Sequence, residues 1–187
     1  MTAKNTREIC IHARLEVAAK DLLPLAKNAR NFAELLIERN LWQDAVAYMS
    51  HAITPREAIW WAWFCARKAA LPKSNPTELK ALSLAEAWIG QPTEDNRKVA
   101  KAEAERIPAG TAPHSILMAI QHTGEFENEV TGEKSPALPY VSNKFVIGAV
   151  TAAIYEINRE KPELVAVEFL KQSLEVADRI QLWARYA

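Results

Sequence analysis

Apolar residues recur along most of the chain at spacings of three and four, the pattern of one face of an α-helix. The alternation typical of β-strands is almost absent, and prolines stand where the helical segments begin or end. The pattern predicts helices over about 6–20, 31–39, 41–52, 54–70, 75–90, 92–106, 114–122, 143–158 and 162–185. The expected fold is therefore all-α, a single irregular helical bundle of about eight or nine helices.

The segment 54–70 is the one around which this bundle should be built. It holds three of the six tryptophans, Trp60, Trp61 and Trp63. Its middle, 58–66, is apolar on every side, and a helix that is apolar all round is normally buried. We therefore expect a tryptophan-rich central helix.

Residues with known capping preferences mark several helix ends. Thr54, Pro55 and Glu57 form a capping-box pattern at the start of the central helix. Gly90 should close its helix as a C-cap, and Ser142 should cap the helix that follows the long loop. These signals predict where the helices turn.

One stretch, about 124–141, has no helical pattern. It contains the acidic run Glu125, Glu127 and Glu129. A loop of this length without secondary structure is typically functional or mobile. We expect a flexible acidic loop within one domain spanning 1–187.

Composition narrows the class of protein. The 187 residues are 49% apolar and 25% charged, with 23 basic and 23 acidic side chains and a net charge of zero. Without a basic surplus, the phosphate attraction behind most nucleic-acid affinity is missing. We expect a protein of ordinary globular composition that binds no nucleic acid.

The sequence predicts neither an export signal nor a membrane span. Its first twenty residues include six charged side chains and no apolar h-region, and no uncharged stretch approaches the ~18 residues that a membrane span needs. The two cysteines, Cys10 and Cys65, lie in apolar helical patterns and are too few for a disulfide framework. We expect a cytoplasmic protein without a membrane span.

No assembled catalytic motif is present. The sequence lacks His-Glu-x-x-His, Cys-x-x-Cys, Gly-x-Ser-x-Gly and glycine-rich phosphate loops. Cys65 should be inert because burial raises the pKa of a thiol. The carboxylate pairs Glu94–Asp95 and Glu103–Glu105 are best interpreted as solvated helix faces. We therefore predict no catalytic residue, no metal ligand and no cofactor.

The tryptophans of the central helix are the sharpest functional signal. Positions 60, 61 and 63 lie at about 0°, 100° and 300° around the helix axis, so at least one ring should reach an edge or groove. Arg56 and Glu57 lie one turn before the first two rings, and exposed tryptophan with arginine is typical of interaction hot spots. The predicted protein-binding residues are Arg56, Glu57, Trp60, Trp61 and Trp183.

Two other hypotheses remain open at this point. One is an enzyme or small-ligand binder with a pocket beside His51, Arg56, Glu57 and Trp60. The other is a homo-oligomer that buries the aromatic C-terminal residues Trp183 and Tyr186 in its own interface.

The central segment also carries a resemblance. Residues 56–62 read Arg-Glu-Ala-Ile-Trp-Trp-Ala, after the turn His-Ala-Ile-Thr-Pro at 51–55. This resembles the Arg-Glu-Ala-x-Trp-Trp-Ala signature of a bacterial helical domain family of unknown function, and 87–89 and 139–153 resemble later parts of that family. The resemblance implies small cytoplasmic helical proteins, often encoded near type VI secretion genes. It implies an adaptor or accessory role and brings no catalytic residues.

Overall fold

The fold, seen in a computed structural model, is almost entirely helical. The structure describes residues 6–72, 75–127 and 130–185. Within these ranges it contains ten α-helices, two short 3₁₀ helices at Leu23–Leu25 and Leu182–Arg185, and one small hairpin. The α-helices are α1 Thr6–His12, α2 Val17–Lys20, α3 Ala29–Glu38, α4 Trp42–Ala52, α5 Pro55–Ala70, α6 Pro76–Gly90, α7 Glu94–Ala104, α8 Ala112–Gln121, α9 Val141–Ile157 and α10 Pro162–Arg179. The all-α prediction is confirmed.

Helix α5 lies at the centre of the bundle. It packs against α4, α6, α8, α9 and α10. Trp61 and Trp63 are buried, and their indole N–H groups donate to the carbonyls of Phe169 (2.8 Å) and Leu82 (2.9 Å). A buried tryptophan needs such a partner, so these two rings pack in the core without leaving a donor unsatisfied.

The hydrophobic core is continuous. One cluster of buried side chains runs from Ile9 in α1 to Leu182 in the C-terminal 3₁₀ helix. Helices α8 and α9 pack closely on each other and on α5. The predicted central role of the 54–70 segment agrees with this arrangement.

Several helix starts follow their sequence signals. Asn75, Thr93 and Thr111 each accept a hydrogen bond from a backbone N–H in the first turn of the next helix. Thr54 occupies the N-cap of α5, but its side chain accepts no such bond, so the predicted capping box is wrong. Pro55 at the first helical position is sufficient to start this helix, because its ring fixes a helical φ.

The first predicted helix is split into two. Arg14 adopts a left-handed conformation (φ 54°) after α1. The Leu15 N–H donates back to the Cys10 carbonyl (3.1 Å), the bond of a helix end with a left-handed cap residue. Helix α2 starts only at Val17, which accounts for the tenth α-helix.

Two other helix ends differ from expectation. Gly90 is still helical and α6 is capped by Gln91 in an extended conformation, so glycine is not the C-cap there. The last helix stops at Arg179 instead of continuing to 185. Gln181 is left-handed (φ 51°) and turns the chain into the 3₁₀ helix.

The start of α9 is also different. Ser142 is inside the helix and donates to the Ala119 carbonyl (2.9 Å). Tyr140 takes the N-cap position in a left-handed conformation (φ 64°), and its ring stacks on His12 with centroids 4.2 Å apart. Tertiary contacts therefore select a cap residue that local preference disfavours.

The segment 124–141, expected to be an irregular loop, contains a small hairpin. Strands β1 (Glu125–Glu127) and β2 (Lys134–Pro136) pair antiparallel, with Phe126 opposite Ser135. Gly132 in the connection has φ +70°, a conformation that glycine adopts without strain. Part of the acidic run is on β1, and Glu129 lies outside the described residues.

Candidate functional site

Four side chains form a stripe along the outer side of α5, which we call the α5 ridge: Arg56, Trp60, Phe64 and Arg67. Their spacing of four, four and three residues places them on one helix face. Trp60 and Phe64 are partly exposed and stack with ring centroids 5.9 Å apart and planes 21° apart. Both arginines are exposed. Of the three tryptophans on α5, Trp60 is thus the one whose ring reaches the surface, on the same helix face as Arg56.

Contacts fix both ends of the α5 ridge. Arg56 donates from Nε to the Ile89 carbonyl (2.8 Å) and from Nη2 to the Gly90 carbonyl (3.3 Å). These carbonyls end α6, where a cation is favoured by the helix dipole. At the other end, the Arg67 guanidinium lies 5.1 Å from the centre of the Trp63 ring. The ridge therefore has a defined shape before any partner arrives.

The structure separates the other predicted binding residues. Trp61 is fully buried, so its ring belongs to the core. Glu57 is partly exposed, and its Oε2 is enclosed without a hydrogen-bond partner among the described residues. Trp183 is partly exposed and donates from its indole nitrogen to Asp178 (2.8 Å), which also accepts from Arg30 of α3. Asp178 of α10 is therefore the residue that links Trp183 to Arg30 of α3.

One cavity of about 380 Å³ lies where α5 begins, with Arg56 on its rim. Residues from the α4–α5 turn, α6, α7 and the start of the hairpin segment line it: Thr54, Pro55, Arg56, Trp88, Pro92, Thr93, Glu94, Arg97, Thr123 and Gly124. Of the four residues proposed for a pocket, only Arg56 is part of this lining. His51 is buried, with its Nδ1 2.9 Å from the Ala47 carbonyl.

A second cavity of about 650 Å³ lies between α7 and the hairpin, and we call it the α7–hairpin cleft. Its lining residues are Glu94, Arg97, Lys98, Lys101, Gly124, Glu125, Phe126 and Lys134. Glu94, Arg97 and Gly124 line both cavities. The two cavities therefore meet at the Arg97 side chain.

Arg97 is the best-connected charged group of the described chain near these cavities, although it is only 9% exposed. Its Nε and Nη2 donate to the two carboxylate oxygens of Glu94 (2.7 Å each). Its remaining bonds go to the carbonyls of Gln121 (2.8 Å) and Glu125. Bidentate pairing is the strongest geometry that guanidinium offers. Arg97 thus ties α7 to the end of α8 and to β1.

Gly124 makes room for this guanidinium. A Cβ atom at position 124 would lie 2.6 Å from Arg97 Nε and 2.9 Å from Cδ. Both distances are shorter than real Cβ contacts, and Arg97 is too fully bonded to move away. Position 124 therefore requires glycine for close approach, whereas the φ of this residue is not the reason.

His122 lies beside the same group. Its ring is 5.1 Å from Phe126 and 5.3 Å from Phe145, centroid to centroid, and its Nδ1 is enclosed without a hydrogen-bond partner among the described residues. Burial lowers the pKa of His122 below its usual value, and the positive charge of Arg97 lowers it further. The neutral ring is therefore the form that this environment favours.

The carboxylates of α7 do not all face solvent. Glu94 is about half exposed, but Glu103 is nearly buried, so its interpretation as part of a solvated face is wrong. Glu103 accepts a hydrogen bond from Lys80 of α6 (2.7 Å), and this bond lowers the pKa of the carboxyl group. The positive charge of Lys80, on another helix, offsets the loss of solvent around the Glu103 carboxylate.

The described residues form neither a metal-ligand cluster nor an activated thiol. No group of three or more histidine, cysteine, aspartate or glutamate side chains is placed to hold a metal ion within the described ranges. Both cysteines are buried thiols; burial raises the pKa of Cys10 to about 11 and raises the pKa of Cys65 well above its usual value. Neither thiol is ionised near neutral pH, so neither is an activated nucleophile.

A family model matches residues 32–177, which is most of the chain. The chain belongs to a family of unknown function, DUF6931. The expectation of an uncharacterised family is thereby confirmed, while the signature pattern and the secretion-gene neighbourhood remain predictions. Neither a curated protein nor a solved structure matches the chain.

The DUF6931 match includes the α5 ridge and both cavities but not Trp183. Among the described residues, no helix is long and apolar enough to cross a membrane. The elements that carry the candidate site, α5, α7 and the hairpin, all lie within the matched residues.

Reasoning from sequence missed Arg97, Gly124 and Phe126. Arg97 is one of many charged residues on a polar helix, and hydropathy cannot distinguish it from its exposed neighbours. Gly124 had a usable signal, because the chain contains only five glycines and each is a candidate for a close approach.

Proposed function

We propose that this DUF6931 protein is a non-enzymatic adaptor or chaperone-like accessory protein that binds another protein through the α5 ridge. One observation carries the proposal, the partly exposed Trp60–Phe64 stack between two exposed arginines. Tryptophan and arginine dominate the binding energy of known interfaces, where aromatic anchors are flanked by polar groups.

The chemistry of the ridge suggests the partner's contact surface. Two stacked rings offer a flat apolar platform, and the arginines add positive charge at both ends. A partner segment with an apolar side chain between two carboxylates would match this order of groups. The arginines are already held by α6 carbonyls and by Trp63, so little conformational entropy remains to be lost on binding.

The setting of this function is also a proposal. The resemblance noted for residues 56–62 suggests a cytoplasmic protein that serves a bacterial secretion system. An adaptor of that kind would need a preformed surface and no catalytic group, which is what the α5 ridge offers.

Affinity capture with purified full-length protein as bait tests the proposal, with bound proteins identified by mass spectrometry. Trp60→Ala should lose the partner, because the anchor ring is removed. Tyr155→Ala is the matched control, since Tyr155 is an exposed aromatic residue (40%) on α9. Both variants should first show the wild-type circular dichroism spectrum.

Two outcomes would overturn the proposal. One is the absence of any specific partner for the wild type. The other is equal recovery by wild type and a folded Trp60→Ala variant, which would remove the α5 ridge from the interaction.

A further inference from the structure

The α7–hairpin cleft is lined by cations from both of its walls. Lys98 and Lys101 are three residues apart on α7, and Lys134 begins β2 on the opposite side. All three are exposed, and none forms an ion pair within the described part of the chain. Three lysines without an ion pair among the described side chains therefore line one cleft.

The fourth cation of the cleft is already neutralised. Arg97 is occupied by both oxygens of Glu94 and by two backbone carbonyls. Only Glu125 remains in the lining to offset the lysines. The free charge of the cleft is thus positive, and a concave surface concentrates such a field.

The charges of two of these lysines affect the same carboxylate, that of Glu94. The pKa of Glu94 is lowered first by its hydrogen bond with Arg97, and also by the charges of Lys98 and Lys134. One of these lysines is on α7 and the other on the hairpin. Their charges therefore reach the same carboxylate at the cleft, and an anion bound there would experience both.

The type of cation indicates the type of anion. The arginine fork binds carboxylates and phosphates alike, and the arginine in this lining, Arg97, already uses four of its five N–H donors. Lysine ammonium groups are compact point charges that suit tetrahedral phosphate oxygens from several directions. The volume of about 650 Å³ is within the range of about 300–1,000 Å³ typical of small-molecule sites.

We propose that the α7–hairpin cleft binds a small phosphate-bearing molecule, whose phosphate groups are held by Lys98, Lys101 and Lys134. The Phe126 ring forms the apolar part of the wall, 5.8 Å from the Arg97 guanidinium. The lining of this cleft includes no residue of the α5 ridge, so the phosphate proposal does not depend on the adaptor function.

Isothermal titration calorimetry with the purified full chain at about 0.15 M salt tests the proposal, since that ionic strength screens loose surface attraction. The probes are inorganic pyrophosphate, adenosine diphosphate and citrate. Both phosphates should bind and citrate should bind at least about tenfold more weakly, a difference of about 1.4 kcal/mol. If adenosine diphosphate binds more tightly than pyrophosphate, the ligand of the cleft is an organic phosphate. If pyrophosphate binds more tightly, the ligand is a free phosphate.

Variants link the binding to the cleft. Lys98→Gln and Lys134→Gln should each weaken pyrophosphate binding about threefold to fivefold, consistent with about 1 kcal/mol for one charged contact. Lys171→Gln is the matched control, because Lys171 is an exposed lysine on α10. It should leave the dissociation constant unchanged.

The proposal would be overturned by the absence of binding to both phosphates, by equal affinity for citrate, or by unchanged affinity in the Lys98→Gln/Lys101→Gln/Lys134→Gln variant. Hexaglutamate is the final probe. If it binds more tightly than either phosphate, the cleft is a docking site for an acidic peptide and the phosphate assignment is wrong.

Discussion

Trp61 and Arg97 are both buried, but their surroundings satisfy their N–H donors in different ways. Each side chain is large, nearly inaccessible and carries N–H donors. Trp61 is enclosed by apolar helices and needs only one hydrogen bond, to the Phe169 carbonyl. Arg97 is enclosed by polar groups, with two bonds to Glu94 and two to backbone carbonyls.

The contrast shows which kind of interaction stabilises each region. Around Trp61 the stabilising term is burial of apolar area, which depends little on direction. Around Arg97 it is a set of directional bonds, each of which requires its partner at the correct position. We therefore expect the core to respond mainly to loss of volume, and the Arg97 region to small steric errors.

The largest effect should come from the core. Trp61→Ala should lower the free energy of unfolding by about 3–5 kcal/mol, because it removes a fully buried ring and leaves a cavity. Trp60→Ala should cost at most about 2 kcal/mol, because its ring is already partly exposed. Urea unfolding followed by circular dichroism measures both. Equal losses would contradict the assignment of Trp60 to the surface and Trp61 to the core.

A single added methyl group should have an intermediate effect near Arg97. Gly124→Ala should lower the free energy of unfolding by about 1–3 kcal/mol, because the new Cβ collides with a guanidinium that cannot shift. Gly90→Ala is the matched control: Gly90 is helical, and a Cβ there meets nothing within 4 Å. It should raise the free energy of unfolding by up to about 1 kcal/mol through helix propensity. Effects of the same sign in both variants would refute the steric explanation.

The smallest effect should be a pH dependence from His122. Its pKa is lower in the folded protein than the usual 6.5, so below about pH 6.5 the unfolded chain binds this proton first. The free energy of unfolding should therefore fall as the pH is lowered from 7.5 to 5.5. His122→Gln should flatten this slope because glutamine does not titrate.

The control for this measurement is Trp60→Ala, which removes no titratable group and should keep the wild-type slope. Melting temperatures at several pH values between 5.5 and 7.5 provide the comparison. An identical slope for the wild type and His122→Gln would show that His122 does not contribute.

Much of the fold was accessible from the sequence. The apolar periodicity located most helices to within a few residues, and the all-apolar segment 58–66 identified the central helix. These features depend on local spacing and on the burial of apolar area, which the order of residues expresses directly. Proline at helix starts has the same local origin, as Pro55 and Pro162 illustrate.

The candidate site depends on tertiary structure. The left-handed conformation of Tyr140, whose ring stacks on His12, and the burial of Arg97 each depend on partners far away in the chain. Arg97 meets the Gln121 carbonyl across 24 positions, and Lys98 faces Lys134 only because the hairpin folds towards α7. The sequence by itself determined which segments are helical and which helix is central. Which charged side chains are buried and where the cavities lie was decided by packing, because a charge loses its solvent only where other elements supply its hydrogen bonds.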